Sequence, residues 1–175
     1  TAAIAVSYFI GISPNVLKDS LKNFKGVERR FNKIFSYNGS DIYDDYAHHP
    51  TEISEVLDGV SNSYKEKKII CIFQPHRISR LNYLKTEFCS SFKKADSVIL
   101  CPIYKAGENL KINLNYYNFA EQIAKKSKVQ VFLVNNQHQL AKFLKQYLDD
   151  GKITIGMGAG SISNWIKQLP NLMKK

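Results

Sequence analysis

Residues 69–73 read Ile-Ile-Cys-Ile-Phe, and residues 74–77, directly after them, read Gln-Pro-His-Arg. Further apolar runs follow at residues 98–101, 129–134 and 153–157, and amphipathic helical patterns separate them. Short, nearly continuous apolar strands that alternate with amphipathic helices are typical of a parallel sheet covered on both faces. The sequence therefore predicts an open α/β domain with a mostly parallel sheet and helices on both of its faces.

The sequence before residue 69 predicts an antiparallel hairpin at the edge of the sheet. Residues 31–37 and 41–47 have the pattern of strands, and Asn38-Gly39 between them is the strongest short signal for a β-hairpin. After residues 69–77, the apolar spacing over residues 81–92 predicts one helix.

Residues 1–28 predict two short helices that are too small to bury a core. An apolar, alanine-rich stretch ends at Gly11, and Ser13-Pro14 has the pattern of an N-cap followed by proline at the first helical position. The chain starts at Thr1 without the pattern of a signal peptide. We expect residues 1–28 to be the end of a preceding, truncated domain and residues 29–175 to form the α/β domain.

The composition excludes several classes of protein. Of the 175 residues, 44% are hydrophobic and 23% are charged, which is ordinary for a globular chain. No apolar run approaches the ~18 residues of a membrane-spanning helix, so we expect no membrane partner. The odd number of cysteines, three, argues against a disulfide framework and favours a reducing, cytoplasmic compartment.

The net charge of +10 is carried mostly by lysine, since only four of the 25 basic residues are arginine. The lysines are spread over all the predicted helices, which favours a solvated surface, and we expect no nucleic-acid partner. Arginine has a planar, bidentate fork that lysine cannot copy. The two arginine pairs, at residues 29–30 and 77 and 80, therefore favour recognition of a carboxylate or a phosphate.

The segments that follow the predicted strands contain most of the unusual chemistry of the chain, including three of its four histidines. In open α/β sheets, ligands bind beyond the carboxyl ends of the strands. We therefore expect function to lie on this edge of the sheet. The segments are residues 44–50, 74–77, 102–108, 135–136 and 156–160.

Residues 44–50, Asp-Asp-Tyr-Ala-His-His-Pro, are the densest of these segments. Neighbouring side chains on a strand point to opposite faces, so at most one of Asp44 and Asp45 faces the ligand edge. That carboxylate could hold a ribose hydroxyl, a metal-bound water or an ammonium group, and the two histidines could bind substrate. Alternatively, His49 caps a helix that begins at Pro50 while the aspartates accept hydrogen bonds from turn amides. Adjacent histidines rarely bind one ion, so we predict no metal site.

The arginines and the glycine-rich segment also allow two interpretations. Arg77 and Arg80 share one face of a first helical turn, where they could clamp an anion or form surface ion pairs. Arg29 and Arg30 could reach nucleotide phosphates or make a salt bridge between domains. Residues 156–160 resemble a phosphate loop, but they follow the last strand, which favours a tight turn with close helix packing. No Walker-type Gly-Lys-Ser/Thr occurs, which excludes a self-contained nucleotide triphosphatase.

Five motifs, taken together and in order, resemble the Mur ligases over the whole chain. They are Gly-Val-Glu-Arg-Arg-Phe at 26–31, Asp-Asp-Tyr-Ala-His-His-Pro-Thr-Glu at 44–52, Phe-Gln-Pro-His-Arg at 73–77, Tyr-Lys-Ala-Gly-Glu at 104–108 and Gly-Ala-Gly at 158–160. The resemblance implies the Rossmann-like last domain of a three-domain, ATP-dependent ligase of peptidoglycan synthesis. It also implies that residues 1–28 end the central ATPase domain, against which the last domain packs.

The members most similar to this sequence join L-alanine to UDP-N-acetylmuramate through an acyl phosphate, using ATP and Mg2+. The resemblance implies three groups of residues: those that bind the substrate, those that bind the nucleotide, and those that contact the binding residues and hold them in place. It implies no protein nucleophile. The substrate-binding residues are Tyr46, His48, Arg77 and Arg80; the nucleotide-binding residues are Arg30 and Asp45; the supporting residues are Arg29, Asp44, His49 and His76.

The phosphate loop of the family is missing from these residues, so we expect the chain alone to be inactive and to bind neither ATP nor Mg2+ by itself. Two alternatives stay open. Murein peptide ligases share the Asp-Asp-x-Ala-His-His-Pro segment, although Gln-Pro-His-Arg favours the alanine-adding members. A free-standing α/β module would bind a small ligand without any partner domain.

Overall fold

The computed structural model describes residues 2–24, 26–110 and 115–174. Within these residues, six strands form one sheet: β1 (Asn32–Tyr37), β2 (Ser40–Asp45), β3 (Lys68–Phe73), β4 (Ser97–Leu100), β5 (Gln130–Leu133) and β6 (Lys152–Met157). The helices are α1 (Ala2–Phe9), α2 (Pro14–Asn23), α3 (Pro50–Ser63), α4 (Ile78–Tyr83), α5 (Lys85–Ser90), α6 (Tyr116–Ser127), α7 (Gln137–Tyr147) and α8 (Ile162–Lys174).

The strand order across the sheet is β1-β2-β6-β3-β4-β5. β1 and β2 are antiparallel, and every other neighbouring pair is parallel. Asn38 and Gly39 both have positive φ, 47° and 76°, as a two-residue hairpin turn requires. The predicted fold, a mostly parallel sheet with an antiparallel hairpin at one edge, is confirmed.

Helices cover both faces of the sheet and bury a separate apolar cluster on each. Phe73 packs with Phe88 and Phe92 on the face covered by α3, α5 and α6. The preceding residue, Ile72, packs on the opposite face, with Leu144 of α7 and Ile166 of α8. Because successive side chains of β3 are buried on opposite faces, the strand is apolar throughout. Each fully buried side chain of this size contributes about 1.5–3 kcal/mol.

The single helix predicted over residues 81–92 is wrong in detail. The chain forms α4 and α5, with a break at Leu84 (φ −106°, ψ 26°), and Phe92 lies beyond the end of α5. The Leu84 N–H still donates to the Arg80 carbonyl and the Phe88 N–H to the Leu84 carbonyl, each at 2.9 Å. Apolar residues keep the same spacing on both sides of the break, so their periodicity does not reveal it.

α1 and α2 pack against each other and bury none of their residues. Their apolar side chains, Ile4, Tyr8, Leu17 and Leu21, line an open groove between the two helices. These exposed faces agree with the expectation that the two helices do not form a core. The assignment of residues 1–28 to a preceding domain stays a prediction. None of the helices in the described parts of the chain is long and apolar enough to cross a membrane.

Candidate functional site

The carboxyl ends of β2, β6, β3 and β4 are neighbours along one edge of the sheet. The segments that follow these strands therefore lie side by side, as their positions in the sequence predict. Residues 135–136, which follow β5, take no part in this group of contacts. Asn136 instead caps α7, because its side chain accepts a hydrogen bond from the Gln139 N–H at 2.9 Å.

Four aromatic rings form a row along this edge, and we call them the ring row. The ring centroids are 4.9 Å apart for Tyr46 and His48, 5.8 Å for His48 and His76, and 5.5 Å for His76 and Tyr104. The backbone joins the same segments, since the Arg77 N–H donates to the Tyr104 carbonyl at 2.8 Å. The structure thus brings together three predicted site residues and adds Tyr104.

Arg77 and Arg80 lie beside His76 at the start of α4. Arg77 is exposed and has a positive φ of 70°, whereas Arg80 is half-buried. The Nη1 atom of Arg80 and the Nδ1 atom of His76 are buried, and neither has a hydrogen-bond partner among the described residues. Buried polar atoms are nearly always paired, so this pair of atoms is suited to a polar ligand.

The protonation state of His76 follows from the same surroundings. Burial lowers the pKa of His76 below 6.5, and the positive charges of Arg80 and Arg77 lower it further, while the negative charge of Glu108 acts in the other direction. His76 is therefore neutral near pH 7, while Arg80 keeps its charge. A neutral imidazole next to a guanidinium group can bind a ligand that carries both a carboxylate and an amine.

The segment that contains Tyr104 is held against α4 by Glu108. The Ser79 N–H donates to one oxygen of the Glu108 carboxylate at 3.1 Å, and the Ser79 hydroxyl donates to the other. These bonds lower the pKa of Glu108. Glu108 was part of a motif in the sequence but had no predicted role, and the structure shows that it fixes residues 104–108 beside Arg77.

His49 caps α3, which confirms the interpretation that His49 caps a helix beginning at Pro50. Its Nδ1 accepts a hydrogen bond from the Thr51 N–H at 3.4 Å. Glu52 completes the cap, since its carboxylate accepts from the N–H groups of His48 and His49 at 2.9 and 3.2 Å. The Nδ1 of His48 lies 2.9 Å from the Tyr46 carbonyl, and this contact holds the His48 ring within the ring row.

The two aspartates are buried and bind in different directions. The carboxylate of Asp45 accepts from the N–H groups of Ala47 and Phe31 at 2.7 and 2.8 Å, as the turn-amide interpretation predicts. Asp44 accepts from the Ser163 hydroxyl at 2.5 Å. Burial raises the pKa of Asp44, while Ser163 and the charge of Arg29 act in the other direction. A nucleotide contact by Asp45 stays a prediction; in the structure Asp45 holds the residue that follows Arg30.

Arg29 and Arg30 both approach Tyr46. The guanidinium carbon of Arg29 lies 4.6 Å from the centroid of the Tyr46 ring, and that of Arg30 lies 5.6 Å from it. Arg29 also donates to the Gly158 carbonyl at 2.6 Å, whereas the side chain of Arg30 is exposed. Arg29 therefore packs into the site, and Arg30 remains available to a ligand.

The glycine-rich segment forms a tight turn with close packing, as predicted. A Cβ atom on Gly156 would lie 2.6 Å from Ile166 Cγ1, and one on Gly160 would lie 2.5 Å from Tyr104 Cγ. Gly158 has a φ of +149°, and a Cβ atom there would lie 2.8 Å from the Gln74 carbonyl oxygen. The glycines let α8 and the ring row approach the turn.

Gln74 connects this turn to the end of β3. Its side chain is 2% exposed; Oε1 accepts from the Ile162 N–H at 2.9 Å, and Nε2 donates to the Ser161 hydroxyl at 3.1 Å. Gln74 has no role predicted from the sequence. The signal that could have found it is a polar amide at the end of a strand that is otherwise apolar.

The described residues include no group of three His, Cys, Asp or Glu side chains placed to hold a metal ion. The two buried carboxylates of the site accept hydrogen bonds from protein groups instead. We assign no magnesium ligand among the residues that the structure describes.

The fold defines an α/β domain of the Rossmann-like kind. The family described as "Mur ligase, glutamate ligase domain" matches residues 29–160, and the chain belongs to this family. The resemblance found in the five sequence motifs is confirmed.

Several proteins that are similar to this chain have the same name. UDP-N-acetylmuramate–L-alanine ligase of Pelagibacter ubique is 62% identical over 173 residues, and that of Aquifex aeolicus is 39% identical over 168 residues. These matches cover 99% and 95% of this chain but only 37% and 36% of the relatives. The chain therefore spans little more than a third of their length.

Solved structures show the same fold. UDP-N-acetylmuramate-alanine ligase from Thermotoga maritima matches with a TM-score of 0.79 and 24% identity, over 99% of this chain and 36% of that chain. A murein peptide ligase from Psychrobacter arcticus matches with a TM-score of 0.67 and 21% identity, over 98% of this chain and 35% of that chain.

Proposed function

We propose that this chain is the C-terminal part of an ATP-dependent ligase that joins L-alanine to UDP-N-acetylmuramate in peptidoglycan synthesis. Two relatives, 62% and 39% identical, are named for this reaction. Because the chain spans only about 37% of the first of them, the proposed activity belongs to a longer protein. The cytoplasmic location also stays a prediction.

The observation that carries the proposal is the buried, unpartnered Nη1 atom of Arg80 beside His76. An amino acid brings a carboxylate, which pairs best with the planar fork of an arginine. We assign the carboxylate of L-alanine to Arg80, with Arg77 at the exposed side. Tyr46 and His48, at the other end of the ring row, would line the space for the rest of the substrate.

The proposed reaction has two steps. The γ-phosphoryl group of ATP moves to the carboxylate of UDP-N-acetylmuramate and leaves ADP. The amine nitrogen of L-alanine then attacks the acyl carbon, the bond from that carbon to the phosphate oxygen breaks, and the nitrogen loses a proton. No protein nucleophile is needed, so this chain contributes by positioning the amine and by stabilising negative charge on the phosphate that leaves.

Arg30 and Asp45, which lie near the Tyr46 end of the ring row, are assigned to the nucleotide. Arg30 would bind its phosphates, since its side chain is exposed and lies near Tyr46. Asp45 would act by holding this segment in place or by contacting the ribose. Mg2+, which the reaction of the family implies, would balance the negative charge of the phosphates.

A chimaera tests this proposal. The upstream part of the Pelagibacter ubique relative, joined to this chain in place of its own matching segment, is assayed for phosphate release with UDP-N-acetylmuramate, ATP and L-alanine. We expect turnover that depends on all three compounds. The upstream part alone and the 175-residue chain alone are the controls, and we expect neither to release phosphate. An inactive, folded chimaera would contradict the proposal, and turnover by this chain alone would contradict its predicted inactivity.

The same assay separates the proposal from the murein peptide ligase alternative. L-Alanine is replaced as the amine by the tripeptide L-alanyl-γ-D-glutamyl-diaminopimelate. We expect the chimaera to prefer L-alanine, because the relatives that are 62% and 39% identical to this chain are named for L-alanine. A preference for the tripeptide would favour the alternative.

A further inference from the structure

Arg29 connects three parts of the chain that meet at the site. Its Nη2 donates to the Gly158 carbonyl at 2.6 Å, and its guanidinium group lies over the Tyr46 ring at 4.6 Å. Its Nε lies 3.9 Å from the carboxylate of Asp44. The backbone carbonyl of Arg29 also accepts from the Tyr46 N–H at 2.8 Å. The segment before β1 is thereby attached to the ends of β2 and β6.

The partners of Arg29 are themselves fixed. Asp44 is 1% exposed and accepts from the Ser163 hydroxyl in the first turn of α8 at 2.5 Å. Gly158 lies in the turn between β6 and α8, where a Cβ atom would clash with the Gln74 carbonyl. The Gly158 carbonyl, which Arg29 binds, and the Asp44 carboxylate, which its Nε approaches, are therefore both held in place by other parts of the domain.

The backbone of the same segment is strained. Arg29 and Phe31 both have positive φ, 58° and 50°, which non-glycine residues adopt uncommonly. Such conformations persist where surrounding contacts hold them. Here these contacts are the Arg29 side chain and the Asp45 carboxylate, which accepts from the Phe31 N–H at 2.8 Å. Arg30 lies between the two held residues.

We propose that Arg29 is a positioning residue that locks residues 29–31 onto the edge of the sheet, so that Arg30 and Tyr46 keep fixed places in the site. This inference rests on the proposed function in so far as Arg30 and Tyr46 bind ligand. A lysine cannot replace Arg29, because one ammonium group cannot both donate to Gly158 and cover the Tyr46 ring in the same geometry.

The first experiment measures the lock itself in the 175-residue chain. Amide hydrogen exchange of Tyr46 is compared by NMR in the wild type, Arg29→Lys and Glu28→Gln. Glu28 is a matched control, since it joins the same segment to α8 through an exposed ion pair with Lys167 at 2.7 Å. We expect Arg29→Lys to increase the exchange rate of Tyr46 by about tenfold or more and Glu28→Gln to leave it unchanged. Equal exchange in Arg29→Lys and the wild type would overturn the inference.

The second experiment measures kinetics in the chimaera. We expect Arg29→Lys to raise KM for ATP by about tenfold while kcat falls less, because Arg30 is displaced before chemistry begins. A fall in kcat with unchanged KM values would show a purely structural role and would overturn the inference. An inactive wild-type chimaera would count against the proposed function instead, and the exchange experiment would still decide on the lock.

Discussion

His76 shows how the surroundings of one residue set its chemistry. Its ring lies between those of His48 and Tyr104, and two arginines follow it within four positions. These neighbours favour the neutral imidazole, since a proton on His76 would be partly buried and repelled. In the proposed function, this neutral imidazole lies beside the guanidinium that is assigned to the carboxylate of the amine substrate.

The titration of His76 follows from this arrangement. We expect its pKa, measured by NMR of the ring protons, to lie below 6.5 and to rise in Arg80→Gln, which removes one positive neighbour. Arg77→Gln, a change at the exposed arginine, should raise the pKa less. A wild-type pKa at or above 6.5 would show that the ring is more solvated than the structure indicates.

The same shift has a consequence for stability. Because the pKa of His76 is lowered on folding, the unfolded chain binds the proton more readily than the folded chain does. Protonation therefore favours unfolding, and the free energy of unfolding decreases as the pH falls below about 6.5. The free energy of unfolding of the wild type, relative to His76→Gln, should therefore be lower at pH 5 than at pH 7.5. Urea titrations at the two pH values measure it.

Among the helices and strands, the start of α3 is clearly stabilised by hydrogen bonds of its first turn. Its cap combines the His49 ring with the Glu52 carboxylate, and that carboxylate also holds the N–H of His48. His48, whose ring belongs to the ring row, is therefore held in place by the helix that begins two residues after it. Helix formation and the geometry of the site are linked at this point.

Loss of this cap should destabilise the chain. We expect Glu52→Ala to lower the free energy of unfolding by about 1 kcal/mol, because two backbone N–H groups lose their acceptor. Glu55→Ala, an exposed position on the same helix, is the matched control and should have little effect. Equal losses in the two variants, measured by urea unfolding, would argue against the cap.

Local patterns predicted most of the elements, because hairpin turns, caps and apolar periodicity depend on residues close together in the chain. They did not predict the strand order, since the placement of β6 between β2 and β3 is a long-range pairing. The roles of Gln74 and Tyr104 depend on that pairing. It brings Gly158 and Gly160 next to them. The polar amide of Gln74 after an apolar strand marks that position, but the local sequence does not indicate its partners.

Considered as a whole, the molecule carries its predicted binding residues on one edge of the sheet and leaves that edge open. His48, His76 and Arg80 lie together there, while the carboxylates of Asp44 and Asp45 are buried and accept hydrogen bonds from protein groups. The edge therefore offers arginine and aromatic side chains to a ligand, and its carboxylates hold the backbone in place.

The most direct test of the central claim is the KM for L-alanine in the chimaera with Arg80→Lys. Lysine keeps the positive charge but lacks the fork, and a hydrogen bond to a charged group contributes about 1.5–3 kcal/mol, so we expect KM to rise by about ten- to a hundredfold. Asn135→Ala, at the same edge after β5 but outside the ring row, should leave KM unchanged. An unchanged KM in Arg80→Lys, or equal changes in both variants, would contradict the account.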